Sequence, residues 1–72
     1  MQWAVEYQIA SGTIWLRLFR ANSDEEAQAY VKYMCTLSPD IRICQLRELP
    51  ANVTVLDLYK LFPRYPDNSN EQ

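Results

Sequence analysis

The chain has 72 residues, 49% of them hydrophobic, with one glycine, no histidine and a formal net charge of −2. That length makes a single domain with a small core, because a chain this short buries only about 60% of its unfolded surface. The missing imidazole removes the commonest general base and metal ligand, and the mildly acidic balance argues against a basic, phosphate-gripping surface.

The stretch from Trp3 to Arg20 reads as two strands folded back at Ser11-Gly12. Glycine takes positive φ without Cβ strain, and Ser-Gly between apolar runs suits a two-residue hairpin turn. Such a turn sets Ala10 opposite Thr13 and Trp3 opposite Arg20. Strand side chains alternate between faces. One face then carries Trp3, Val5, Tyr7 and Ile9 beside Ile14, Leu16 and Leu18, and is the expected core face. The other carries Ala4, Glu6, Gln8 and Ala10 beside Thr13, Trp15, Arg17 and Phe19. In this register Glu6 pairs with Arg17 across the strands, and Trp15 and Phe19 flank Arg17 on an outer face. Aromatic residues around an arginine are the composition of a binding hot spot, so Trp15, Arg17, Phe19, Glu6 and Gln8 are the candidate partner-binding residues. The plainer reading is that a C-terminal segment covers both aromatics.

A helix is expected from Ser23 to about Leu37. Ser23 is an N-cap, Glu26 stands at the third position of a capping box, and three acids occupy the first turn, where the helix dipole favours them. Ala27, Tyr30, Val31, Met34 and Cys35 form its apolar stripe. Ser38-Pro39-Asp40 ends it. Ile41 to Leu49 reads as a third strand, with either burial on both faces or a bulge near Cys44 to explain its irregular pattern. Arg42, Arg47 and Glu48 are edge charges. In Val53 to Phe62 helix and strand patterns compete. The favoured reading is an extended start followed by one or two helical turns, with Thr54 as cap, Asp57 at the third position, and Val55, Leu58, Tyr59 and Phe62 as the stripe. Pro63 and Pro66 end regular structure, so the domain spans 1–66 and 67–72 forms a flexible polar tail. The expected fold is α+β: a two-layer ββαβ arrangement with sheet order 2-1-3, the main helix across the apolar hairpin face, and a short C-terminal element. The helical connection is read as a right-handed crossover to a parallel third strand.

Chemistry is sparse. Cys35 and Cys44 read as buried thiols, with a disulfide between them the lesser alternative, and two cysteines without histidine do not make a tetrahedral metal set. Glu25 and Glu26 point in different directions from their helix. A lone glycine does not build a phosphate loop. No enzyme activity, cofactor or metal is expected. No apolar run approaches a membrane span of about 18 residues, and the start of the chain lacks signal-peptide features, so a cytoplasmic setting is expected.

With its two strands, its Ser23-Asp24-Glu25-Glu26-Ala27 helix start and a third strand ending Leu46-Arg47-Glu48-Leu49, the chain over residues 2–49 resembles small proteins encoded by phages and other mobile elements. Certain of these, anti-CRISPR proteins among them, inhibit a host defence complex by binding it. The resemblance implies a protein-binding inhibitor in the host cytoplasm whose partner is a host nucleoprotein complex. It transfers no functional residue. Two other readings stand beside it. One is single-stranded nucleic-acid binding, with Trp15 and Phe19 as stacking platforms and Arg17, Arg42 or Arg47 on the backbone. The other is a subunit that dimerises through the same face or adds a strand to a partner's sheet.

Overall fold

A computed structural model describes residues 1–64. The expected tail at 67–72 and the domain end at 66 lie outside the described residues. The order is β1 (Gln2–Gln8), β2 (Ile14–Arg20), α1 (Asp24–Leu37), β3 (Arg42–Glu48) and α2 (Val55–Leu61), with the sheet ordered β2-β1-β3. This is the small α+β fold expected. The middle strand β1 is antiparallel to both neighbours, so β2 and β3 run in the same direction on either side of it. Among the described residues no helix is long and apolar enough to cross a membrane.

The hairpin departs from expectation by one residue. Ile9 N–H donates to Thr13 O at 3.0 Å, and Gly12 N–H donates to Ile9 O at 2.9 Å. The loop is therefore Ala10-Ser11-Gly12, with Gly12 at φ 95°. This is the three-residue hairpin in which a turn is followed by a bulged glycine at positive φ. The pairs become Trp3↔Phe19, Val5↔Arg17 and Tyr7↔Trp15 on one face, and Ala4↔Leu18, Glu6↔Leu16 and Gln8↔Ile14 on the other. Since the side-chain period is two, the one-residue shift turns all of β2 over relative to β1.

That exchange builds a core on each face of the sheet. On the first, α1 lays Ala27, Tyr30, Val31 and Met34 over Trp3, Val5 and Phe19. Its cap forms as expected, Ser23 Oγ accepting from Glu26 N–H at 3.2 Å, while the Glu26 carboxylate reaches back to Asn22 N–H at 3.0 Å rather than to Ser23. On the second face the chain beyond β3 packs Leu49 and Phe62 against Ala4, with Leu16, Val53, Leu58 and Leu61 around them. The central strand is consequently buried at four successive residues, Trp3 to Glu6. β3 carries the bulge: Glu6 pairs with Gln45 and Tyr7 with Ile43, leaving Cys44 as the extra residue.

α2 forms where an extended start gives way to helix, with the full Thr54–Asp57 capping box. Its inward side differs from the expected stripe. Leu58, Leu61 and Phe62 face the core, whereas Val55 and Tyr59 are exposed, because a two-turn helix docked by its C-terminal end buries only that end. Cys35 and Cys44 are free thiols, half-buried rather than buried.

Candidate functional site

The five nominated residues do not share a face. Trp15, Arg17 and Phe19 lie on the α1 side, Glu6 and Gln8 on the α2 side. Phe19 is only 9% exposed. Its ring stacks on Tyr30 of α1, with centroids 4.2 Å apart and planes 19° from parallel. It is a core residue covered by the helix and not by the C-terminal segment. The open aromatic face that base stacking by Trp15 and Phe19 together would need is therefore not formed.

Glu6 does not meet Arg17. It faces Leu16 on one side and Gln45 on the other, is 3% exposed, and its Oε2 has no hydrogen-bond partner among the described residues. Gln8 serves the hairpin, its Nε2 donating to Gly12 O at 3.0 Å. Leu18, expected inside, is 44% exposed.

Trp15 and Arg17 remain as a surface pair, joined by residues the sequence did not single out. Trp15 is 48% exposed and stands opposite Tyr7. The Arg17 guanidinium is exposed and donates to the Tyr30 hydroxyl at 3.4 Å. That hydroxyl, and after it the one of Tyr7, holds the guanidinium more firmly in its charged form than usual. A guanidinium has five N–H donors in a planar fork, and the bond to Tyr30 uses one of them. Beside it Tyr7, Arg17, Met34, Leu37, Ser38 and Ile41 line a cavity of about 120 Å³. That is well below the roughly 300–1,000 Å³ of small-molecule sites. Leu37 and Tyr33 are exposed nearby on α1.

This surface runs along an unpaired strand edge. The Ile9–Thr13 bond and the bond from Ala21 N–H to Met1 O at 3.0 Å fix the alternation of the hairpin ladder. Residues 13, 15, 17, 19 and 21 turn their main-chain groups to β1, and Ile14, Leu16, Leu18 and Arg20 turn theirs outward. Among the described residues nothing pairs with that edge. The periodicity of α1 marked Tyr30 as a core residue, but no pattern in the sequence reveals that its hydroxyl reaches Arg17.

Among the described residues no group of three or more His, Cys, Asp or Glu side chains is placed to hold a metal ion. No protein-family model, curated protein or solved structure matches the chain.

Proposed function

We propose that the protein is a small non-enzymatic protein-binding module that works by occupying a partner's surface, through Trp15, Arg17 and the open edge of β2. The observation that supports this reading is the combination of a half-exposed indole and an arginine held by tyrosine hydroxyls on a strand whose outer main-chain groups, among the described residues, are unpaired. Tryptophan and arginine are the residues most often found at binding hot spots, and an open strand edge offers a partner a ready ladder of hydrogen bonds. The narrower form of the proposal, inhibition of a host nucleoprotein defence complex in the host cytoplasm, rests on the resemblance of residues 2–49 to small mobile-element proteins.

The test is affinity capture by immobilised protein, with Trp15→Ala and Arg17→Ala beside the wild type. A specific protein that binds the wild type and is lost from both variants supports the reading. Retention of every captured protein by both variants refutes this surface. The narrower form is tested by adding the purified protein to a reconstituted CRISPR-type effector and measuring target cleavage, which falls if the complex is blocked and is unchanged if it is not.

A further inference from the structure

We infer that the β2 edge pairs with the β2 edge of a second copy of this chain, antiparallel about a two-fold axis at Leu16, so that two three-stranded sheets become one of six strands. The inference rests on the contact reading above and names an occupant for that surface.

The two edges of the sheet differ in kind. β3 has a bulge at Cys44 and exposed charges at Arg42, Arg47 and Glu48, the devices by which natural sheets blunt an edge. β2 also exposes charges, at Arg17 and Arg20, but it has a regular ladder without a bulge from Gln2↔Arg20 to Gln8↔Ile14, and Trp15 and Leu18 are exposed along it. An unbulged edge with large exposed apolar residues is a template for another strand.

The phase of the ladder then restricts the partner's register. The outward main-chain groups belong to Ile14, Leu16, Leu18 and Arg20, so these residues must form the hydrogen-bonded pairs of the new interface. A two-fold axis at Leu16 sets Leu16 against Leu16 and Ile14 against Leu18 of the second copy. It sets Trp15 against Arg17 of the second copy, twice, as non-hydrogen-bonded pairs, the type whose side chains approach most closely. Each indole then meets a guanidinium that on its own chain donates to the Tyr30 hydroxyl. The neighbouring registers are poorer. An axis at Arg17 opposes two like charges, and an axis at Leu18 sets Arg17 against Phe19, whose ring is already stacked on Tyr30. An axis at Trp15 pairs the two indoles with each other but sets both guanidinia against Thr13, so the Leu16-centred register alone pairs each indole with a guanidinium across an isologous interface.

The experiment is sedimentation velocity on the full chain over a concentration series. The variants are Trp15→Arg, the double variant Trp15→Arg with Arg17→Glu, and Leu18→Asp, each checked against the wild-type far-UV circular dichroism. The wild type is expected to show a concentration-dependent dimer. Trp15→Arg sets arginine against arginine and raises the dimer Kd by about 30-fold or more, two lost cation–π contacts alone accounting for roughly 5–30-fold. The double variant restores opposite charges in the Leu16-centred register only, and returns the Kd to within about threefold of the wild type. Leu18→Asp weakens the dimer independently of the Trp–Arg pair. A wild type that stays monomeric up to millimolar concentration, or a dimer indifferent to Trp15→Arg and Leu18→Asp, overturns the inference. A monomer that still loses a captured protein through Trp15→Ala refutes self-pairing alone, whereas a dimer with no such protein refutes only the wider reading.

Discussion

Replacing Phe19 and Trp15 by alanine, one at a time, tests the hairpin register and everything placed by it. The two side chains lie on the same face of β2 but in different surroundings. Phe19 is 9% exposed and stacked 4.2 Å from Tyr30, within the core that joins α1 to Trp3 and Val5. Removing a buried phenylalanine costs about 3–5 kcal/mol through lost transfer energy and the cavity left behind. A domain of 72 residues has a total stability of about 4–11 kcal/mol at the usual 0.05–0.15 kcal/mol per residue. Phe19→Ala therefore removes between about a quarter and all of it, lowering the melting temperature by roughly 12–40 °C. Trp15, at 48% exposure, loses mainly its cross-strand contact with Tyr7, a loss of about 1 kcal/mol or less. Urea unfolding followed by circular dichroism measures both. With a two-residue turn the two aromatics would share an outer face and the substitutions would cost similar amounts. Costs equal within about 0.5 kcal/mol would sink the register.

Three further outcomes follow from single residues. Glu6→Met is expected to stabilise the fold by about 1–2 kcal/mol, because it replaces a buried carboxylate with an unpartnered Oε2 by an apolar side chain of similar length; loss of stability in urea unfolding would show that the carboxylate is satisfied. Gly12→Ala is expected to cost about 1–2 kcal/mol although an added Cβ meets nothing within 4 Å, since the penalty lies in the backbone at φ 95°; Asn52→Gly, at φ 62°, is expected to be neutral or stabilising by thermal melting. The Thr54 main-chain N–H, followed by the Thr54 side chain, holds the Asp57 carboxyl below its ordinary value. The folded value being the lower one, this contribution is complete above the unfolded value near 3.8 and is lost as pH falls through the folded value. Asp57→Asn should thus lower stability more at pH 6 than at pH 2, and an equal effect at both would exclude the charged carboxylate contact with Thr54 as its cause.

Most of the element order is legible in the residues. Ser23 with Glu26 and Thr54 with Asp57 mark two helix starts and Pro39 marks a stop, because each of these is local chemistry acting over three or four residues; the broken alternation around Cys44 fits either burial on both faces or the bulge that forms. The faces of β2 are not legible. Ile14, Leu16 and Leu18 are apolar on one parity and Trp15 and Phe19 on the other, so either face makes an acceptable core face. Ser11-Gly12 also fits two turns, as the centre of a two-residue loop or as the last two residues of a three-residue one. What decides is tertiary: Phe19 stacks on Tyr30, and Ile14 and Leu16 pack on the side that α2 covers. α2 itself hid its inward side for a related reason. With Val55, Leu56, Leu58, Tyr59 and Leu61 all apolar, the sequence offers two stripes, and docking by Phe62 selects the one containing Leu58 and Leu61.

The position of one glycine thus governs the charges as well as the core. With a two-residue turn, Glu6 and Arg17 would neutralise each other as a cross-strand pair. The three-residue loop puts them on opposite faces of the sheet, the carboxylate buried against Leu16 and the guanidinium exposed beside Tyr7 and Tyr30. Both consequences count against the isolated chain: among the described residues one face buries a polar oxygen without a partner, and the other exposes an indole and a cation held by phenol hydroxyls. Burial of Glu6 contributes nothing to a surface and follows from the parity of β1 together with the cover that the chain beyond β3 lays on that face. Arg17 differs, because the same parity sets it two residues from Trp15 on an open edge, where an incoming strand can engage both. A small domain with little stability to spare gains from such a surface only when something covers it, which is why the edge of β2, rather than the bulged edge of β3, is where we propose the contact.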